Sequence, residues 1–349
     1  MYFIFVFSVV FISFLIQTSH LTEEKKRKRF CFCAFLIILF VHLFKDNSNY
    51  PDLCRYELEF DGIAEIPNLG SFFVQYFGHS GYFHEIGWSL LNFVCTRFVN
   101  DFTVFLNIVS IGICSGYSYG IYKLSKSPLF SFLFIMLYST ALPQSFYVLR
   151  QHLAFSLFFF VMPHLLKNDY KRFLLGYCCI LSLHLSSIIL FPFVLFYKLG
   201  DRLFTFKRIF ISVLLIFSFT YLLNTITYER YADYATTESS GNFLAVILTG
   251  GVFFVFIIIR ASIYLKDQYN IYMQTYIFYS FIICFACIGS DTGRLTNYFT
   301  FFLSSSVPYV VQNMNKPIRL IAYTLFIVFS VLVNLNAQWA SYLYYKLIF

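Results

Sequence analysis

Residues 142–166 read LPQSFYVLRQHLAFSLFFFVMPHLL, an apolar stretch with Arg150 and Gln151 near its head. An apolar stretch of this length is typical of a helix that crosses a membrane. A guanidinium is costly in that setting, so an arginine there usually faces a cavity or a partner and marks a functional site. The stretch therefore predicts a membrane helix that begins near a functional charge.

The composition of the whole chain supports this prediction. Of the 349 residues, 59% are hydrophobic and only 12% are charged, whereas soluble domains contain about 25% charged residues. Apolar runs separated by short polar breaks recur from end to end, which predicts an all-α, polytopic, helical integral membrane protein. No polar stretch is long enough for a separate soluble domain, so we expect residues 1–349 to form one membrane domain.

The apolar runs predict about 11 to 12 membrane segments. They are residues 1–17, 30–44, 102–122, 128–145, 150–166, 173–199, 209–224, 243–260, 271–289, 298–311 and 318–336. Residues 1–17 lack a basic n-region and an A-x-A-like cleavage site, which favours a retained first span over a removed signal peptide. The run 173–199 breaks at His184–Ser187, and we expect it to form two half-spans of a hairpin.

Basic residues are concentrated in six short loops that predict the orientation of the chain. The loops are residues 23–29, 123–127, 167–172, 198–208, 260–266 and 315–319, and they hold 18 of the 25 Lys and Arg residues. All six lie on one side if the run 173–199 doubles back and if residues 84–100 form an interfacial helix. The positive-inside rule places that side in the cytoplasm. A conventional span at 84–100 would instead reverse everything N-terminal to it.

The outer face then carries the interfacial helix 84–100 and the predicted outer loops. These loops are residues 45–83, 143–150, 225–242 and 290–297. The net charge of +8 could suggest nucleic-acid binding, but the basic residues lie in loops between spans and act first as topology signals. The sequence contains no Walker loop, GxGxxG or HExxH motif.

Arg150 and Arg294 are the first candidates for a functional site on the outer face, where basic residues are sparse. The structural alternatives are an arginine that snorkels to the interface and, for Arg294, a simple ion pair with Asp291. Arginine binds phosphate through a planar fork of donors and stays charged when desolvated. Two arginines at the outer leaflet would therefore suit a lipid-linked pyrophosphate.

Three further residues could supply acid–base chemistry. His184 lies at the predicted hairpin tip and could bind a phosphate or act as a general base, although a lone histidine in an apolar helix is more often a packing residue. Asp52 and Glu85 could each act as a base or contact an acceptor sugar. Most polar residues in such loops are simply solvated.

A series of short passages, ordered along residues 45–300, resembles the EpsG-like branch of the Wzy-type polysaccharide polymerases. The passages are Asp52 with Tyr56 (D-x-x-x-Y), Glu85 at the head of an apolar helix, Arg150 with Gln151 and Ala154 (R-Q-x-x-A), His184 with Ser186 and Ser187 (H-x-S-S), and Arg294 with Tyr298 (R-x-x-x-Y).

The resemblance implies a multi-pass glycosyltransferase of the bacterial cytoplasmic (inner) membrane. Such an enzyme transfers a growing glycan from undecaprenyl pyrophosphate to the next lipid-linked repeat unit at the outer leaflet, and it is expected to need no metal and no cofactor. Its partners would be the undecaprenyl-pyrophosphate-linked oligosaccharides and membrane lipid, with a chain-length regulator and a flippase as further candidates and no nucleic acid.

The resemblance also implies roles for the candidate residues. Those expected to be catalytic are Arg150, Arg294, His184, Asp52 and Glu85. Those expected to bind substrate are Gln151, Ser187, Tyr56, Asp291 and Tyr298.

Three alternatives remain open at the level of sequence. A ligase that moves a finished glycan to lipid A or protein would use the same donor chemistry. A transporter of a polar or lipid-linked solute would use Arg150 as a counter-charge, and inverted repeats would favour it. A membrane acyltransferase is a third alternative, but a clear His-Asp pair is not evident.

Overall fold

The computed structural model describes residues 2–45, 51–78, 84–137, 141–191 and 297–336, together with a few single positions between 210 and 251. Within these residues all regular structure longer than an isolated bridge is helical. The predicted all-α class is therefore confirmed, while the number of membrane segments stays a prediction.

The helices of the described residues are, in chain order, α1 (Tyr2–Gln17), α2 (Glu23–Leu43), α3 (Pro51–Ala64), α4 (Leu69–Phe77), α5 (Ile86–Thr96), α6 (Phe102–Leu124), α7 (Pro128–Leu137), α8 (Ala141–Gln144), α9 (Leu149–Leu166), α10 (Tyr170–Leu183), a 3₁₀ helix (Leu185–Leu190), α11 (Asn297–Gln312) and α12 (Lys316–Asn336).

The chain divides into two compact units. Unit 1 comprises Met1–Lys123, Leu142–Ser187 and Val333–Phe349, and unit 2 comprises Leu124–Ala141 and Ile188–Leu332. The expectation of one membrane domain over residues 1–349 stays a prediction.

The stretch 45–83, predicted as an outer loop, contains the two helices α3 and α4. Helix α3 forms because its large side chains recur every three or four residues and are buried along one face. The buried side chains of that face are Leu53, Tyr56, Glu59, Phe60 and Ile63. Helix α4 is capped by Asn68, whose side chain accepts a hydrogen bond of 2.9 Å from the backbone N–H of Ser71. The chain in this stretch is folded rather than extended, and which side of a membrane it occupies stays a prediction.

Helices α9 and α10 are joined by a short turn within the basic stretch 167–172, where the sequence predicts a break between apolar runs. Asn168 follows the end of α9 with φ 59, a left-handed conformation that Asn tolerates well at a helix C-terminus. Asp169 then caps α10 by accepting a 3.3 Å hydrogen bond from the N–H of Arg172. The turn is thus determined by two adjacent polar residues.

Helix α10 ends where the sequence predicts a break. His184 is extended (φ −158, ψ 110), and the 3₁₀ helix begins at Leu185. The interruption at His184–Ser187 is therefore confirmed. Whether the chain then doubles back depends on residues 192–209, which lie outside the described residues.

In unit 2, α7 packs with α11 and α12 through an aromatic cluster. Phe130 and Phe134 are buried against Val307, Tyr323 and Phe326. Ser131 on α7 donates a 2.5 Å hydrogen bond to the carbonyl of Ser304 on α11, so a polar contact crosses the apolar interface.

One helix of the described chain, Phe102–Leu124, is both long enough and apolar enough to cross a membrane. Shorter apolar helices occur at Ile4–Gln17, Ile86–Thr96 and Pro128–Leu137. The helix Ile86–Thr96 lies within the predicted interfacial segment 84–100, and at 11 residues it is far shorter than the roughly 20 residues that a span needs.

Candidate active site

Arg150 forms an ion pair with Glu85 in unit 1. The guanidinium lies in the first turn of α9, and its Nη1 donates to Glu85 Oε2 at the head of α5. The two side chains are 12% and 16% exposed, so the pair is largely desolvated but still reaches the surface. An ion pair that is shielded from water in this way holds its geometry better than one in a solvated loop.

Tyr56 contacts Arg150 from α3. The guanidinium carbon lies 5.6 Å from the centroid of the phenol ring, a distance at which a cation is attracted by the face of an aromatic ring. Arg150 Nε also makes a long contact of 3.5 Å with Tyr56 Oη. Burial raises the pKa of Tyr56, and the charge of Arg150 opposes that rise. The phenol therefore stays protonated near neutral pH.

His184 completes the cluster from the end of α10. Its Nδ1 donates a 3.0 Å hydrogen bond to Glu85 Oε1, the oxygen that also accepts from the N–H of Leu185 at 3.3 Å. A helix break leaves polar backbone groups without their helical hydrogen-bond partners. Glu85 supplies one such partner, so the break at His184 and the carboxylate are structurally coupled.

Electrostatics keep Glu85 ionised. Burial raises the pKa of its carboxyl group, but the hydrogen bond from His184 and the charge of Arg150 outweigh burial and hold that pKa well below its ordinary value. Glu85 is therefore a weak base, and its principal effect in this arrangement is to orient the guanidinium.

Gly87 allows Glu85 to approach His184. A Cβ atom at Gly87 would lie 2.8 Å from Cβ of Ser182 on α10, closer than real side chains come. The missing side chain lets α5 pack directly against α10. This close approach brings the head of α5 to the end of α10, where the carboxylate and the imidazole meet.

Glu59 and His84 form a second polar arrangement next to the first. Glu59 on α3 is 1% exposed and accepts a 2.5 Å hydrogen bond from Nδ1 of His84. Trp88 Nε1 donates to the same carboxylate at 3.0 Å, and Ser89 Oγ donates to it at 2.6 Å. Neither Glu59 nor His84 is among the site residues predicted from the sequence.

A buried cation lies beneath the head of α9. Lys45 is 2% exposed and donates a 3.0 Å hydrogen bond to the carbonyl of Phe146, while Ser145 bonds to His42 at 2.9 Å. Burial lowers the pKa of Lys45 to about 8. These contacts anchor the turn that leads into Arg150 to the end of α2.

The structure brings together four of the predicted site residues, namely Tyr56, Glu85, Arg150 and His184. Asp52 lies on α3 near enough to Tyr56 to influence its ionisation. Two of the predicted substrate-binding residues are buried in unit 1: Gln151 is 3% exposed, and Ser187 is fully buried, with its carbonyl accepting a 2.8 Å hydrogen bond from Tyr177.

Three predicted residues fall outside the described side chains. Arg294 and Asp291 lie outside the described residues, and Tyr298 falls in α11 at a position whose side chain is not described. Over the described part of the chain, no three His, Cys, Asp or Glu side chains are grouped as a metal site would require.

The chain was compared with protein families, curated proteins and solved structures. The model of the EpsG family matches residues 52–348, a range that includes every candidate residue described above except Lys45 and His42. This match confirms the family resemblance predicted from the motifs. No curated protein and no solved structure matches the chain.

Proposed function

This chain belongs to the EpsG family, a family of polysaccharide biosynthesis, and we propose that it polymerises lipid-linked oligosaccharide repeat units at the outer leaflet of the bacterial cytoplasmic membrane. The growing glycan would be transferred from undecaprenyl pyrophosphate to a hydroxyl of the next lipid-linked unit. The observation that carries this proposal is the oriented, largely desolvated guanidinium of Arg150.

The chemistry requires stabilisation of the leaving group. When the bond between the anomeric carbon and the pyrophosphate oxygen breaks, negative charge develops on the departing phosphate. A fixed cation in a low-dielectric site stabilises that charge more than a mobile cation in water does. Glu85 and Tyr56 fix Arg150 in this way, and the position of Arg150 in the first turn of α9 adds the positive end of a helix dipole.

We propose roles for the other predicted residues as well. Arg294 would be the second cation for the pyrophosphate, and Gln151 would support Arg150. His184 would orient Glu85 and bind phosphate, and Asp52 would contact the acceptor sugar. We assign Glu85 to holding Arg150, since a carboxylate with a lowered pKa is poorly suited to accept a proton.

Exposed apolar side chains support the membrane setting. On α1, Phe7 and Phe14 are 70% and 63% exposed, and on α12, Leu320 and Leu325 are 67% and 63% exposed. Large apolar surfaces are rarely left to water. Acyl chains would cover these two helices in the proposed multi-pass arrangement.

The test is the glycan ladder of cells that carry Arg150 variants. Arg150→Ala removes the cation, and we expect the ladder to collapse to a single repeat unit. Arg150→Lys keeps the charge but loses the planar fork of donors. We expect it to restore less than about a tenth of polymerisation, because a hydrogen bond to a charged group contributes about 1.5–3 kcal/mol. Electrophoresis of surface glycan measures both outcomes.

Arg172→Ala is the matched control. Arg172 is 74% exposed and pairs with Asp169 at the predicted cytoplasmic turn, so its loss should leave the ladder intact. An unaltered ladder in Arg150→Ala would refute the proposed role of this residue. Long glycan that accumulates on the lipid carrier would identify a ligase instead, and repeat units trapped at the cytoplasmic face would identify a transporter.

A further inference from the structure

We infer that His84 is the general base that removes the proton from the acceptor hydroxyl, and that Glu59 positions it. This inference rests on the proposed polymerase function, because it assigns a residue to the acceptor half of that reaction. The donor half already has Arg150 and its partners. A glycosyl transfer also needs a group that accepts the proton of the attacking hydroxyl.

Glu59 determines the orientation of the His84 ring. Its carboxylate accepts hydrogen bonds from both the backbone N–H and Nδ1 of His84, at 3.2 Å and 2.5 Å. Because Trp88 and Ser89 also donate to it, each carboxylate oxygen accepts two hydrogen bonds and the group cannot easily rotate. A buried carboxylate with this many partners is rigidly placed.

This orientation leaves Nε2 as the basic atom. A carboxylate oxygen is an acceptor, so Nδ1 must carry the proton in the Glu59 contact, and the neutral ring then has its lone pair on Nε2. The His84 side chain is 24% exposed. Among the described residues, Nε2 has no hydrogen-bond partner. A buried acid that orients a partly exposed histidine is the arrangement that general-base catalysis requires.

His84 lies beside the Arg150 cluster. It directly precedes Glu85 in the chain, and its ring centroid is 5.6 Å from that of Tyr56, the same ring that contacts the guanidinium of Arg150. Tyr76 on α4 donates to the backbone carbonyl of His84, and His184 is close enough to interact with it electrostatically. Tyr56 therefore lies between the guanidinium of Arg150 and the imidazole of His84, the proposed base.

The neighbouring residues are less suited to act as the base. Glu85 is committed to Arg150 and His184. A carboxylate orients both His184 and His84, and His84 is the more exposed of the two, at 24% against 16%.

The acceptor hydroxyl gives its proton to Nε2 of His84 as its oxygen forms a bond to the anomeric carbon of the donor. The bond between that carbon and the pyrophosphate oxygen breaks, and its electron pair stays on the pyrophosphate. Glu59 stabilises the imidazolium until it releases the proton to water.

The test measures polymerisation of lipid-linked repeat units by the full-length protein in membranes. We expect His84→Ala to lower the rate by about 10²–10⁴-fold, the usual contribution of a general base, while binding of the pyrophosphate donor is unchanged. Added imidazole should restore part of the rate in His84→Ala, because a free base can occupy the space of the missing ring. A purely structural role would show no rescue.

Two further variants make the result specific. His164 also lies beside a carboxylate, with its Nδ1 3.6 Å from Asp169 at the predicted cytoplasmic turn, so His164→Ala should keep the wild-type rate with or without imidazole. Glu59→Gln should lower kcat while KM for the acceptor is unchanged, since the imidazole ring loses the carboxylate that orients it. Tyr56, Glu85 and His184 also face this region, and they are unchanged in Glu59→Gln.

These measurements distinguish failure of the His84 assignment from failure of the polymerase proposal. If His84→Ala keeps the wild-type rate while Arg150→Ala loses it, the inference about His84 is overturned and the polymerase proposal stands. A slow His84→Ala that imidazole does not rescue, together with an unchanged kcat in Glu59→Gln, also overturns it. If the wild-type protein does not polymerise the repeat units at all, the proposed function fails first.

Discussion

Arg150 is the central residue of the proposed donor site, and it is held by side chains that α3 and the head of α5 supply. Glu85 neutralises its charge and Tyr56 covers one face of the guanidinium. A cation in a membrane segment is tolerated when partners offset its desolvation. The same partners restrict its rotation, so the interactions that stabilise Arg150 also hold it in one orientation, as the proposed role with an anionic ligand requires.

The ionisation of Glu85 makes stability depend on pH. The folded-state pKa of Glu85 lies well below its ordinary value. Ionised Glu85 therefore stabilises the folded protein fully at neutral pH, and this stabilisation is lost as pH falls through the folded-state pKa. Glu85→Gln removes this contribution. We expect the melting temperature of the variant to be lower than that of wild type at pH 7, and the difference to shrink between pH 4.5 and pH 3.

Thermal unfolding of the detergent-solubilised protein measures this difference. The other carboxylates titrate in both proteins, so the comparison isolates Glu85. A difference in melting temperature that stays constant from pH 7 to pH 3 would contradict the assignment of an ionised Glu85 to the pair.

At this scale the sequence predicted the cluster around Arg150 better than the neighbouring cluster around Glu59. Arg150, Glu85, His184 and Tyr56 were predicted as candidates because a charge or a break in an apolar context is conspicuous. Glu59 was missed because residues 45–83 were interpreted as a loop. Helical spacing carried the missing signal, since Glu59 follows Tyr56 by three residues on the buried face of α3.

At the scale of elements, glycines set the distances between helices. Gly112, Gly116 and Gly120 recur every four residues along α6, and α9 packs against them: a Cβ at Gly116 would lie 2.6 Å from that of Ser156, and one at Gly112 would lie 2.9 Å from Leu153. Small residues at this spacing let membrane helices approach closely. The pattern was present in the sequence, but its partner helix could not be identified without the structure.

Gly87→Ala tests the corresponding approach of α5 to α10. The added methyl group would overlap Ser182, and overpacking of this kind costs about 1–3 kcal/mol. We expect a lower melting temperature and a shorter glycan ladder, because moving α5 separates Glu85 from His184.

Gly62→Ala on α3 is the matched control, since a Cβ there would meet nothing within 4 Å. Alanine also favours helix over glycine by about 1 kcal/mol, so the control should be as stable as wild type or more stable. Equal behaviour of the two variants would show that close packing at Gly87 is unimportant.

At the scale of the whole molecule, the proposed topology depends on the segment 84–100. Its helix, Ile86–Thr96, has Glu85 at its head and Arg97 at its end. The guanidinium carbon of Arg97 lies 4.6 Å from the ring centroid of Phe93. Charges at both ends of so short a helix favour an orientation along the interface. The charge distribution over the loops predicted the sidedness, but the sequence alone left open whether this helix crosses.

Reporter fusions test the topology. We expect a fusion after Pro67, between α3 and α4, to show alkaline phosphatase activity, because the phosphatase folds only outside the cytoplasm. A fusion after Asn168, between α9 and α10, should instead show fluorescence of a cytoplasmic green fluorescent reporter. If α5 crosses the membrane, the first fusion will be cytoplasmic while the second is unchanged.

The cluster around Glu85 also has a consequence for biosynthesis. Glu85 precedes Arg150 by 65 residues and His184 by 99 residues, and ribosomes add about 5–20 residues per second. Glu85 therefore waits roughly 3 to 13 s for its cation and longer for its histidine. During this interval each charged group must remain hydrated at the membrane surface. A nascent chain interrupted between residues 150 and 184 contains only one of the two partners of Glu85. Such a chain presents an incomplete polar cluster to the quality-control proteases of the membrane.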